Sequence, residues 1–183
     1  MRAPASPPSP YRPRRVTLRD GRVVTLRAIR ESDAAKIREA FERLSAESRY
    51  NRFMQHKKHL NDEALRRGVH PQPGRDFVFV ATHPKDGGYD IVGAVQYVRA
   101  EEGGDAACEF AITVAEDWRG SGLARRLLAS LIRRARRDGY ATMEGWVLAE
   151  NAAMLGLARK LGFDAESPSG DATVVRVRRR LQR

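Results

Sequence analysis

Val114 to Leu128 read VAEDWRGSGLARRLL. The stretch leaves an apolar β-type run, crosses a turn holding Gly120, Ser121 and Gly122, and enters an amphipathic helix. Leu123, Leu127, Leu128, Leu131, Ile132 and Ala135 form one apolar stripe on that helix, with Arg126, Arg133 and Arg137 largely on the other side. A glycine turn that opens a helix leaves unpaired amides pointing outward at the positive end of the helix dipole, which suits an anion. Arg119, with Arg125 or Arg126, adds positive charge there. Two readings stand: a phosphate or pyrophosphate site, or a turn that only caps a helix. No Gly-Lys-Ser/Thr follows, so the loop is not a Walker motif. Arg125 occupies the place where a dinucleotide fingerprint needs its third small residue.

Working outward, the helix is preceded by three β-type runs, Phe77 to Ala81, Ile91 to Val98 and Ala107 to Val114. Turn signals at Asp86-Gly87-Gly88 and over Glu101 to Asp105 separate them, which predicts consecutive antiparallel strands. Further upstream, Val16 to Ala28 reads as a hairpin about Asp20-Gly21. Ser32-Asp33 precedes a helical pattern in which Ile37, Phe41 and Leu44 share a face, and Asn61 is a candidate N-cap for a helix reaching Arg67. The stretch SRYNRFMQHKKHL between them has no clear period. Downstream, Met143 to Leu148 reads as a strand and Ala152 to Leu161 as a helix closed by Gly162. Phe163 to Glu166 and Thr173 to Arg179 read as final strands joined over Pro168-Ser169-Gly170. Strands, helix, strand, helix, strands make a mixed α/β (α+β) fold, not a regular βαβ array.

At 183 residues the chain suits one domain. Residues 1–15 hold five of the nine prolines and four arginines, and are expected to be a disordered basic tail ahead of a single domain over 16–183. The net charge of +11 comes from 34 Lys+Arg against 23 Asp+Glu and favours anionic partners without choosing among them. Cys108 is the single cysteine, which excludes an intrachain disulfide and a Cys-rich zinc site. The histidines form no metal motif, and no metal site is expected. No apolar run approaches membrane-spanning length, and the first residues lack the apolar core of a secretory signal, so a cytoplasmic protein with no membrane partner is expected.

One carboxylate stands out. Glu109 lies in the apolar strand just before the glycine loop, on the face shared with Ala111 and Thr113, while Cys108, Phe110, Ile112 and Val114 face the other way. A charge placed there needs a reason, because burying it unpaired is costly. It is a candidate general base or a salt-bridged structural group. Glu144, on the strand expected beside it, is the second candidate, as a group that holds an ammonium or relays its proton. Asn151 is a candidate N-cap. Trp118 is expected to pack at the helix start, and Trp146 either packs in the core or lines a groove.

The chain resembles the GCN5-related N-acetyltransferase superfamily. Arg119, Gly122 and Ala124 match its Arg/Gln-x-x-Gly-x-Gly/Ala loop. Asn151, Met154, Gly162 and Phe163 in NAAMLGLARKLGF match a second motif, and TLRAIRESDAAKI looks like its first strand and helix. RLSAESRYNRF and CEFAITVAEDWRGSGLARRLLASLIRRARRDG look closest to the acetyltransferase domain of bacterial protein lysine acetyltransferases. The resemblance implies an acyl-CoA N-acyltransferase fold with a mostly antiparallel sheet, and acetyl-CoA as co-substrate. It also implies pyrophosphate held by Arg119, Gly120, Ser121, Gly122, Leu123, Ala124 and Arg125, a carbonyl polarised by backbone near Ile112, Thr113 and Val114, a cofactor contact from Asn151, and Glu109 as base. The family tyrosine that protonates the thiolate lies seven residues after the asparagine; here that position is Ala158.

The leading expectation is therefore an enzyme acetylating protein lysines, with acyl-CoA synthetases among the protein partners that branch modifies. The alternatives are an acetyltransferase for a small amine or a protein N-terminus, and a non-catalytic acyl-CoA-binding module. No recognised nucleic-acid module is present, so specific nucleic-acid binding is not expected. The oligomeric state is open.

Overall fold

The computed structural model describes residues 11–101, 106–167 and 173–181. Its first elements are β1 (Arg14–Thr17) and β2 (Val23–Ala28), followed by α1 (Ala34–Glu42), α2 (Ala46–Phe53) and α3 (Asp62–Val69). Then come β3 (Asp76–Lys85), β4 (Gly88–Arg99), β5 (Ala107–Val114), α4 (Leu123–Arg137), β6 (Thr142–Leu148), α5 (Ala152–Lys160), β7 (Asp164–Glu166) and β8 (Val174–Arg180). The eight strands make one sheet in the order β1-β2-β3-β4-β5-β6-β8-β7. Every pairing is antiparallel except β5 with β6.

This is the mixed α/β, largely antiparallel architecture that the pattern predicts, with differences in detail. The expected tail runs into the fold: Arg14 and Arg15 pair with Leu26 and Thr25, and the Tyr11 ring meets Phe79 edge-on at 4.4 Å. Ladder bonds and aromatic contact offset the ordering entropy that composition alone weighs against this segment. β1 is an edge strand whose arginines face solvent, a composition that discourages further strand addition. The aperiodic stretch after Leu44 contains α2, opened by Ser45, whose side chain accepts from the Ser48 amide. Asn61 caps α3 as expected, accepting from the Ala64 amide at 2.7 Å. The turns expected over Glu101–Asp105 and Pro168–Gly170 lie mostly or wholly outside the described residues.

The main core lies on one face of the sheet. The α4 stripe, Leu123, Leu127, Leu128, Leu131, Ile132 and Ala135, is buried against Phe79, Val95, Tyr97, Cys108 and Phe110. Gly93 lets α4 come close, since a Cβ there would stand 2.9 Å from Leu127. The helices α1 to α3 cover the opposite face, with Phe41, Leu44, Leu65 and Val69 buried. Trp118 is 4% exposed, as expected of packing at the helix start, with the Arg22 guanidinium 3.8 Å above its ring. Trp146 is 40% exposed and takes no part in the core.

Candidate active site

The site begins where two strands part. β5 and β6 pair only at Ala107↔Thr142, Cys108↔Met143 and Glu109↔Glu144. Beyond Glu109, β5 continues to pair with β4 alone, as far as Val114↔Gly93. Backbone bonds at the two ends of that ladder, Ala100 N to Ala107 O and Ala115 N to Val92 O, each 3.0 Å, fix its phase. Odd-numbered residues of β5 exchange bonds with β4, and even-numbered amides point toward β6. Ile112 and Val114 therefore aim their N–H groups into the gap, while Thr113 is committed to the ladder with Ala94. Gly145, just past the fork on β6, packs on the Phe110 ring; a Cβ there would stand 2.6 Å from it.

The glycine loop lies past the end of β5. Gly120 and Gly122 have φ of +74° and +87°, a region glycine enters without strain. Among the described residues, the amides of Gly120, Ser121, Gly122, Ala124 and Arg125 have no hydrogen-bond acceptor, so the loop presents the donors expected of an anion site. Two expected contributors are turned inward by their side chains. Ser121 is buried, and its hydroxyl donates to Trp118 O at 2.6 Å. The Leu123 side chain is fully buried, and its amide donates to Ser121 Oγ at 3.3 Å. Arg119 is exposed but already donates to Ser48 Oγ at 2.7 Å. Arg125 is exposed. The β1–β2 turn brings up an unanticipated cation: Arg19 donates its amide to Ser121 O, and its side chain lies beside Gly122. No local pattern marks Arg19, because the approach spans a hundred residues of chain.

Glu109 and Glu144 are brought side by side at the fork and line one cavity of about 590 Å³ with Glu101, Asp76, Arg99 and Trp146. Their environments differ. Glu144 is 5% exposed and accepts from Arg176 of β8 at 2.5 Å, so its charge is neutralised. Glu109 is half-buried and, among the described residues, has no hydrogen-bond or ion-pair partner. Burial and the neighbouring Glu144 push its pKa above the usual carboxylate range, and Arg52 pulls against them. Such a carboxylate can take up a proton and release it. Asn151 accepts from the Met154 amide at 3.0 Å, capping α5. Cys108 is buried, its thiol pushed up to about 12 by burial, and is no nucleophile. Ala158 is buried in the core, so no side-chain acid is supplied from that position. Among the described residues there is no cluster of metal-ligating side chains.

A model of the acetyltransferase (GNAT) family matches residues 37–163. The chain belongs to the GNAT acetyltransferase family. Acetyltransferase PA5475 of Pseudomonas aeruginosa is 35% identical over 159 residues, 87% of this chain and 84% of that protein. The GNAT domain of S. lividans PAT superposes with a TM-score of 0.84 at 28% identity, covering 92% of this chain and 97% of that one. The L-methionine sulfoximine/L-methionine sulfone acetyltransferase of Pseudomonas aeruginosa is 38% identical over 81 residues, 43% of this chain and 47% of that protein. This GNAT chain is an acetyl-CoA-dependent acetyltransferase. No helix among the described residues is long and apolar enough to cross a membrane.

Proposed function

We propose that the chain acetylates a small primary amine, with Glu109 as general base. The observation that carries this reading is the unpartnered Glu109 carboxylate at the fork between β5 and β6, beside free amides on β5. An alkylammonium cannot attack an acyl carbon until it loses a proton, and a carboxylate of raised pKa within the acceptor cavity can take it. Glu109 shares its cavity with Asp76 and Glu101 and with Arg67, Arg75 and Arg99, so the attraction for an ammonium is local to the Glu109 carboxylate.

Acetyl-CoA, when bound, supplies the acetyl group as a reactive thioester. The reaction balances as R–NH3+ and acetyl-CoA giving R–NH–CO–CH3, CoA–SH and one proton; a C–N bond forms and a C–S bond breaks. The Ile112 and Val114 amides are the donors aimed into the gap, suited to the acyl oxygen. The amides of Gly120 to Gly122, Ala124 and Arg125 suit the pyrophosphate, with Arg19 and Arg125 adding charge. Ser121 and Leu123 serve by backbone position, and Asn151 holds the start of α5. With Ala158 in the tyrosine position, the thiol leaves without a side-chain acid there, tolerable for a group of pKa about 8.5.

The small-amine acceptor is supported by the match to a relative named for methionine sulfoximine and sulfone. The lysine-acetyltransferase expectation has no comparable support. The test is turnover of the purified protein on small amines and a lysine peptide, with mass spectrometry of products, repeated for Glu109→Gln. We expect acetylated small amine, and a loss of turnover of about 100- to 10,000-fold in the variant. Parent-level turnover by Glu109→Gln removes Glu109 as base; a preference for the lysine peptide overturns the small acceptor.

A further inference from the structure

Arg52 and Glu109 line adjoining cavities, and among the described residues neither has a hydrogen-bond or ion-pair partner. Arg52, on α2, reaches into a cavity of about 500 Å³ between the helical layer and the outer face of β3, β4 and β5. The cavity wall is mostly apolar, with Ile37, Phe41, Phe53 and Leu60, and its polar groups besides Arg52 include Arg67, Asp76, Gln96 and Thr113. Among the described residues the guanidinium has no hydrogen-bond or ion-pair partner; it lies 4.8 Å from the Phe53 ring centre. Burial pushes it down to about 10, and its one favourable electrostatic neighbour is Glu109. The two attract each other electrostatically but form no ion pair. The cavity of Arg52 and that of Glu109 share Arg67, Asp76 and Val98, so they are two halves of one cleft along the sheet.

A half-buried charge beside apolar surface is costly to leave unpaired, and most such charges in proteins have a partner. This chain does pair them elsewhere: Arg27 and Asp33 bury a bidentate bridge with both bonds at 2.7 Å. At Arg52 and Glu109 the separation is left open. What fits between a cation and an anion is a zwitterion whose charges lie close together. An α-amino acid carries its ammonium and carboxylate on one carbon.

Resting on the acetyltransferase reading above, we propose that the acceptor is a free α-amino acid with an uncharged side chain. Its ammonium meets Glu109, its carboxylate meets Arg52, and its side chain lies among Phe41, Phe53 and Leu60. Arg52 then determines specificity: its planar fork binds the carboxylate, and it excludes amines that lack one. A protein lysine, whose ammonium has no carboxylate beside it, leaves Arg52 unpaired and is a poor acceptor.

The experiment compares L-methionine sulfone, its α-carboxamide, the corresponding decarboxylated amine and a lysine peptide, each with acetyl-CoA and the whole chain, by thiol release and product mass. We expect kcat/KM for the amino acid to exceed that for the carboxamide by about 10- to 100-fold, the worth of hydrogen bonds to a charged group. In Arg52→Gln the ratio of the two should fall toward one, mostly through KM, and Arg52→Lys should restore part of it. The ratio is read because loss of Arg52 also changes the field at Glu109, which affects both acceptors alike; circular dichroism confirms folding, and Arg52→Met, uncharged and of similar length, carries the test if the glutamine variant does not fold. Equal rates on amino acid and carboxamide, or an unchanged ratio in a folded, uncharged Arg52 variant, overturn the proposal while the acetyltransferase reading stands. No acetylation of any amine removes both.

Discussion

At the scale of single residues, the molecule treats its charges in two ways. Asp33, fully buried, accepts from both Arg27 nitrogens, from the Arg30 amide at 2.8 Å and from Tyr89 OH at 2.6 Å. Burial raises its pKa, but Arg27, Tyr89 and the Arg30 amide outweigh it, so Asp33 titrates below the usual range. Although it stands just before α1, its side chain makes no cap bond there. We expect Asp33→Asn to lose about 3–5 kcal/mol in urea unfolding, because Arg27 is left buried without its counter-charge. With the folded pKa depressed, the parent's advantage is complete above the unfolded pKa of about 3.9 and shrinks as pH falls through the folded value. An advantage that stays constant from neutral pH to pH 2 would show that the charge on Asp33 contributes nothing. Glu109 has no such network, and its raised pKa follows from that difference in surroundings.

At the scale of elements, the site is the consequence of one strand outrunning its neighbour. β5 stays on β4 to its last residue, while β6 leaves after Glu144. That opens the amides of Ile112 and Val114 and sets two carboxylates at the vertex. The turn into α4 adds the second set of donors. Gly122→Glu puts an L residue at a φ of +87°, beside Arg19, and an acidic side chain among the donors meant for an anion. Titration calorimetry should show acetyl-CoA affinity reduced by at least about tenfold, with cooperative unfolding retained because the turn lies outside the core. Unchanged affinity would place the pyrophosphate elsewhere.

At the scale of the whole molecule, the charge of +11 is concentrated in arginine. Arg125, Arg126, Arg133, Arg136 and Arg137 stand exposed along the outer side of α4. They form a solvated, positively charged helix face next to the loop. Filter binding with unrelated DNA duplexes should give weak, sequence-independent retention that disappears between about 50 and 200 mM salt. Tight, sequence-selective retention at the higher salt would show that this face reads nucleic acid.

Local chemistry decided much of this protein. The β-runs, the α4 stripe, the two positive-φ glycines, the Asn61 and Asn151 caps and the position of Glu109 are all legible in the chain, because periodicity, turn residues and capping act over a few neighbours. Three things were not. The helix α2 has a capping serine and only a short apolar face, Ala46, Tyr50 and Phe53, among arginines and polar residues, and its Phe53 ring packs on Phe41 of α1. Arg19 reaches Gly122, and Arg52 reaches the neighbourhood of Glu109, only because the hairpin and the helical layer fold over distant strands. The partner of Glu144 is on the strand that adds last, so which of two adjacent carboxylates stays free is a matter of sheet order. Sequence pattern sets which residues can be helix, turn or strand. The pairing of charges, and so the direction of every pKa at the site, belongs to contacts between segments far apart in the chain.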